Sequence, residues 1–499
     1  MRMRLSLFFI LAGSFSCLAQ NFYQEPFRPQ IHFSPKENWM NDPNGMVFYD
    51  GTYHLFFQYY PDSTVWGPMH WGHAISRDLL HWNQLPIALY PDSLGYIFSG
   101  SAVVDSNNTS GFGKHGKIPL VAIFTQHDPQ GEKEQTNLFQ NQCIAYSLDK
   151  GMTWTKYPGN PVLKTPGLKD FRDPKVSWYP VQKKWIMTLA AGDRILFYSS
   201  KNLKSWTKES EFGQGLGAHG GVWECPDLIS FSMNGKKIWL LIVNINPGGF
   251  QGGSGTQYFT GNFDGENFIC TDTLTKWADY GADDYAGVTW SNTGNKKIFL
   301  GWMSNWQYAT KVPTERWRSA MTLPRRLSLK YIQGRYYTAM TPVPTLEMLT
   351  QKSVSYNKLY SPRIFRLSGA TRIDFKTPVL QSFLIRFSNQ QGQELLVGYD
   401  PGKNAFYINR THAGHSDFDP HFAAVHYGPR IADTKNARFS LILDNASIEF
   451  FADEGLTTMT EIFFPDSPLD AMQLEPVKGS MFQELTIRSL GSIWEKGQN

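Results

Sequence analysis

The chain has 499 residues, 41% hydrophobic and 18% charged, with a formal charge of +4. This is more than one ordinary domain needs, so it implies at least two units unless a large all-β architecture absorbs most of it. Composition is that of a soluble globular protein, and so weak a charge gives no footing for nucleic acid and marks no disordered tail.

Residues 1–19 join Arg2 and Arg4 to the largely apolar run Leu5 to Leu11 and the small-residue exit Ser16-Cys17-Leu18-Ala19. This is the pattern of a secretory signal peptide, so export to the periplasm or the cell exterior is expected. Lipid attachment at Cys17 is the alternative to cleavage after Ala19. No later apolar run reaches the roughly 18 residues that span a bilayer. Cleavage leaves Cys143, Cys225 and Cys270, which make neither a disulfide framework nor a zinc site. No metal or cofactor is expected, and oligomeric state has no sequence signal.

Short apolar strands separated by turn signals fill the rest of the chain, and sustained helical periodicity is absent. From residue 20 to about 345 a turn with Asp, Pro or Gly leads five times into two apolar strands. The turns are Asp42-Pro43, Ser99-Gly100, Asp173-Pro174, Pro226-Asp227 and Asp284-Tyr285. Most units add Ser or Gly, then Asp or Asn, then an aromatic: Ser76, Asp78 and Trp82; Ser147, Asp149 and Trp154; Ser200, Asn202 and Trp206; more loosely Gly261, Asp264 and Phe268. Self-similarity at this period predicts a five-bladed β-propeller, each aromatic closing its sheet against a neighbour. A linker is expected over 346–360. New alternation over 361–499, as in Phe383-Leu384-Ile385-Arg386-Phe387, predicts a C-terminal β-sandwich.

Three carboxylates sit in turn-like signatures at the heads of the first, third and fourth units: Asp42, Asp173 and Glu224. A propeller brings such turns to one end of its axis. Two carboxyl groups facing one sugar suffice for glycoside hydrolysis, one donating a proton to the leaving oxygen and the other attacking or stabilising the sugar cation. The aromatic share of 15% also suits sugar rings, although aromatics fill β cores equally well. Asn-Asp-Pro-Asn-Gly is also good turn chemistry, so Asp42 alone proves nothing. His70 and His73 lack a third ligand at helical spacing and read as hydrogen-bonding residues. Gly248–Gly255 lacks the Lys-Ser/Thr of a phosphate loop and reads as a hairpin or blade turn.

Several motifs together resemble glycoside hydrolase family 32, the invertases, inulinases, levanases and other β-fructosidases. They are Trp39-Met40-Asn41-Asp42-Pro43-Asn44-Gly45, His54 to Tyr59, Trp66 to His73, Phe98-Ser99-Gly100-Ser101, Arg172-Asp173-Pro174, Glu224-Cys225-Pro226 and Trp317 to Met321. The resemblance implies Asp42 as nucleophile, Glu224 as acid/base and Asp173 as stabiliser, holding ring hydroxyls with Arg172. It further implies Asn41, Gln58, Trp66, Phe98, Ser99 and Trp306 as walls of the first sugar pocket, with Asp284 as a further substrate contact. Tyr60 stands where many invertases carry Asn, which counts against sucrose as the preferred substrate. The expected activity is retaining hydrolysis of fructans or fructo-oligosaccharides, levan or inulin, releasing fructose from the chain end. Endo attack, fructosyl transfer through the same covalent intermediate and a non-catalytic fructan-binding propeller are the alternatives.

Overall fold

The computed structural model describes residues 22–476 and 481–494, so the expected signal peptide and Cys17 lie outside the described residues. Regular structure within them is strand, broken by one helical turn, Pro129–Lys133, and one 3-10 turn, Pro344–Leu349. Five sheets succeed one another between Asn38 and Pro342. Their inner strands are Asn38–Tyr49, Tyr96–Val104, Phe171–Tyr179, Val222–Met233 and Tyr285–Thr289, and these touch in cyclic order with the fifth returning to the first. This ring is the expected propeller. Three of the second strands, Leu120–His127, Lys184–Ala191 and Ile298–Met303, are buried at every residue because both faces of each blade are covered.

Closure of the ring is local and polar. Phe48 N–H donates to the Ser291 carbonyl at 3.0 Å, and Trp317–Arg318 pairs in parallel with Asn38 and Trp39. The repeated Ser-x-Asp/Asn element is a turn between the third and fourth strands: Ser76 Oγ accepts from Leu79 N–H and Ser200 Oγ from Leu203 N–H, each at 2.8 Å, with both leucines in the left-handed region. Its aromatic then meets the preceding blade. Trp82 of blade 1 stacks on Trp290 of blade 5, Trp154 of blade 2 meets Phe56 of blade 1 edge-on, and Phe268 of blade 4 meets Phe212 of blade 3.

Polar groups fill the propeller's axis below its mouth. Lys175 on the inner strand of blade 3 donates to the Thr289 carbonyl of blade 5 and lies 3.2 Å from the Asp227 carboxylate of blade 4. Ser291 Oγ, between the first and second strands of blade 5, donates to the Ala102 carbonyl of blade 2 at 2.6 Å. Bonds between blades that are not neighbours cross the bore and plug it.

The stretch 346–360, expected as a linker, is instead regular structure. Thr350–Leu359 is an edge strand paired with Phe482–Leu490. Its side chains are mostly exposed, so it lacks the apolar alternation that marks a strand in sequence. Beyond it, two six-stranded sheets form the sandwich. Thr371–Thr377 alternates buried and half-buried residues, and Phe375, Phe383, Phe406, Phe439, Phe450 and Phe482 fill the space between the sheets.

The two units are joined by buried charge. Arg325 of the propeller, with no exposed surface, donates to Asp279 and Asp284 at 2.8 Å each and to Glu449 of the sandwich at 2.9 Å. In return Arg410 of the sandwich reaches Asp283 and Tyr308 at 2.5 and 2.9 Å. His32, ahead of blade 1, is held between Asp444 and Glu449 at 2.8 and 2.9 Å. Burial alone would lower the pKa of His32, but these two carboxylates overcome it and raise it to about 9. A histidine pKa raised on folding adds stability that is complete below its ordinary value of about 6.5 and is lost as pH rises through the folded value. Melting temperature should therefore fall between pH 6.5 and 9.5, and His32→Gln should flatten that slope whatever it does to stability at pH 6; an unchanged slope would remove His32 from the account.

Candidate active site

Each of the five inner strands carries one extra residue near its start. The ladder slips between Met40 and Pro43, Ile97 and Gly100, Arg172 and Lys175, Glu224 and Asp227, and Tyr285 and Val288, with the inner strand always the longer. Such a bulge breaks the two-residue alternation and re-aims side chains. Three bulges place a non-glycine residue at positive φ, namely Asp173 at 65°, Cys225 at 43° and Ala286 at 54°. Aligned on the bulge, Arg172, Glu224 and Tyr285 occupy equivalent positions in blades 3, 4 and 5, and Asp42 and Ser99 do so in blades 1 and 2. The bulges together turn three successive positions toward the mouth, Glu224 from the first, Asp173 from the second and Asp42 from the third, which brings the charges together.

Glu224 Oε1 accepts from Arg172 Nε and Nη2 at 3.1 and 2.9 Å, while Oε2 accepts the Tyr285 hydroxyl. Arg172 also pairs with Asp170 at 2.6 Å. Burial acts to weaken the Arg172 cation, but Glu224, Asp173 and Asp170 overcompensate and hold it charged. Asp42 Oδ1 accepts from Asn41 Nδ2 and Oδ2 from Ser99 Oγ, both at 2.8 Å. Asn41 is in turn fixed by the Trp39 indole N–H at 2.7 Å. Asp173 Oδ2 accepts from Cys225 N–H at 3.0 Å, and the Cys225 thiol lies 3.5 Å from Asp42 and 3.6 Å from Asp173. Buried beside three carboxylates, the thiol is pushed well above its ordinary pKa and stays a neutral packing and donor group.

These residues line a cavity of about 300 Å³ at the mouth of the propeller. Asn41, Asp42, Gln58, Trp66, Phe98, Ser99, Arg172, Asp173, Glu224 and Trp306 all line it. Asp284 does not. It is buried one residue before Tyr285, and its Oδ2 accepts from Arg325 at 2.8 Å while its Oδ1 has no hydrogen-bond partner among the described residues. The expected substrate contact is therefore corrected to a residue of the charged joint beneath the blade.

Sequence reasoning missed Tyr285, Asp170, His127, Glu132, Gln140 and Asn246. Tyr285 was within reach, since it follows Asp284 at the head of the fifth unit and aligns with Glu224. His127 stacks on Phe98 at 4.3 Å between centroids and faces Glu132 at 3.0 Å, so the helical turn Pro129–Lys133 stands on the blade 2 rim. No motif marks that excursion. Tyr60, the departure noted above, underlies the rim beside Trp66: a Cβ on Gly67 would lie 2.4 Å from its ring. His70 and His73 serve as hydrogen-bonding residues, one with the Pro68 carbonyl and the other with His54. Gly248–Gly255 is the hairpin between the second and third strands of blade 4.

A carboxylate-lined pocket at the head of a propeller, braced by a sandwich, is the architecture of a glycoside hydrolase. The chain belongs to glycosyl hydrolase family 32: the family's N-terminal domain matches residues 32–339 and its C-terminal domain residues 361–489. Levanase from Bacillus subtilis is 46% identical, over 98% of this chain and 74% of that protein. An extracellular exo-inulinase from Aspergillus awamori is 40% identical, over 95% and 96%. The crystal structure of exo-inulinase from that organism superposes with a TM-score of 0.87 at 38% identity, covering 95% of this chain and all of the other. β-Fructofuranosidase from Schwanniomyces occidentalis complexed with fructosyl-erythritol gives 0.86 at 33% identity, covering 95% and 99%.

Grouping three carboxylates costs stability. Burial pushes the Asp173 carboxyl up to about 7, with Arg172 opposing and Glu224 and Asp42 adding to the rise. Asp42 is raised as well, by burial first and by Glu224 second. The folded state thus holds a proton on Asp173 more tightly than the unfolded chain, and the associated stability is lost as pH climbs from about 4 through 7. Asp173→Asn should melt roughly 2 °C or more above the native chain at pH 8 and show no such gain at pH 4; an equal shift at both values would sever the effect from this ionisation.

Proposed function

We propose that this protein is an exported β-fructosidase that hydrolyses fructan chains from their ends with net retention, releasing fructose. The observation that carries the reading is the single cavity in which Asp42, Asp173 and Glu224 meet, each with different hydrogen-bond partners. The levanase and exo-inulinase relatives support fructans as the substrate class and support export to the periplasm or cell exterior.

The geometry divides the labour. Asp42 accepts hydrogen bonds from Asn41, Ser99 and, weakly, the Cys225 thiol, which suits an ionised nucleophile. Glu224 is clamped by Arg172 and Tyr285 and faces the same cavity as Asp42, which places its carboxyl to meet the leaving oxygen and act as general acid. The bond from C2 to the leaving oxygen breaks as that oxygen takes the proton of Glu224, and the oxocarbenium-like C2 of the fructosyl unit bonds to the Asp42 carboxylate. Water activated by the same Glu224 frees it, and retention follows from two displacements at one carbon. Asp173, rigid in its bulge, holds ring hydroxyls. Tyr285 is a positioning residue for Glu224. Terminal attack is favoured by walls on two sides, Trp66 on blade 1 and the Glu132 turn on blade 2.

Two measurements test this. Glu224→Gln should lower kcat on fructan by about 10³ yet lose far less on fructosyl fluoride, whose leaving group needs no proton, whereas Asp42→Asn should lose both alike; equal loss of both substrates in Glu224→Gln would remove its role as acid. In an early time course on levan and inulin, free fructose alone is the expected product. A ladder of oligosaccharides would establish endo attack instead, and longer products from sucrose would establish transfer.

A further inference from the structure

We propose that a groove beside the catalytic cavity, between the Gly192–Arg194 turn of blade 3 and the 213–219 loop leading into blade 4, binds fructosyl units on the leaving side of the scissile bond. This extends the reading of Glu224 as the acid and rests on it. The groove encloses about 590 Å³, within the range of sites that hold several rings. Both walls stand at the same end of the propeller as the catalytic cavity, since Ala191 pairs with Phe171 and Ile195 with Phe212.

The turn at Gly192, next to Asp193 of the groove, is bonded to residues that border the catalytic cavity. Its N–H donates to the Asp170 carbonyl at 3.4 Å, and its carbonyl accepts from Trp223 N–H at 2.7 Å. Asp170 pairs with Arg172 inside the catalytic cavity, and Trp223 immediately precedes Glu224. On the groove side His219 stacks over Trp223 with ring centroids 5.1 Å apart. Trp66 and the Glu132 turn rise on blades 1 and 2, so the side toward blades 3 and 4 is left for a chain whose departing oxygen meets Glu224.

The lining fits a neutral polyol better than an ion. His219 is bonded to Asp193 and to the Gly213 and Leu216 carbonyls at 3.1 Å each, while the exposed Asp193 and Arg194 side chains, the latter 3.7 Å from Glu211, offer an acceptor and donors to hydroxyl groups. Leu216, half-buried, supplies an apolar strip for the face of a ring. The Gly192 turn needs its glycine, with φ at 66° and open space where a Cβ would stand.

The test compares kcat/KM on a fructo-oligosaccharide of several units with that on the shortest one cleaved, in the full chain and in two variants at exposed positions. Asp193→Ala removes a hydroxyl partner, and Gln214→Trp fills the groove without touching the catalytic cavity. The ratio of long to short substrate should fall about fivefold in each, the worth of one hydrogen bond or ring contact, with melting temperature confirming that both fold. An unchanged ratio in both variants overturns the groove while leaving the catalytic reading intact. Failure of the native chain to cleave either substrate overturns the catalytic reading and the groove with it.

Discussion

Everything at the mouth of this propeller depends on one extra residue in each inner strand. A regular strand sends alternate side chains to opposite faces, so a blade can offer the axis only every second residue. The bulge suspends that rule for one step, and because it recurs at the same height in five blades it builds a ring of equivalent positions. Asp42 with Ser99, and Arg172 with Glu224 and Tyr285, are neighbours for this reason. The left-handed backbone at Asp173 and Cys225 is part of the same arrangement, strain of the kind that surrounding structure must hold in place.

That holding falls partly to the buried ions below. Arg325 and Arg410 bind carboxylates from both units, and Asp284, next to Tyr285, takes one of those contacts. A buried ion pair is weak evidence for net stability, because desolvation consumes much of its Coulomb gain. Its use here is positional. Losing one partner leaves a charge stranded, so the sandwich is held in one registry against the strand that carries Tyr285, and through Tyr285 against Glu224.

The sequence made much of this legible, and for identifiable reasons. Turn residues and paired apolar runs repeat at blade spacing, so the propeller and the three acids at its unit heads were readable, while Arg172, Ser99 and Asn41 came only from the resemblance to family 32. Asp284 misled because an acid at a unit head matched the pattern, while the bulge that decides which of two adjacent residues faces the mouth leaves no composition of its own. Tyr285 was hidden by the same ambiguity. His127, Glu132 and Gln140 arrive from an irregular rim excursion, and such loops carry function without periodicity. The strand Thr350–Leu359 read as a linker because an edge strand facing water resembles a loop in its residues.

The plugged axis has a consequence for traffic. Contacts of Lys175, Asp227 and Ser291 cross the bore beneath the three acids, so the floor of the cavity is filled with bonded side chains. Under the end-wise hydrolysis proposed above, a released sugar leaves on the side from which the chain entered, and turnover is tied to how quickly the mouth clears.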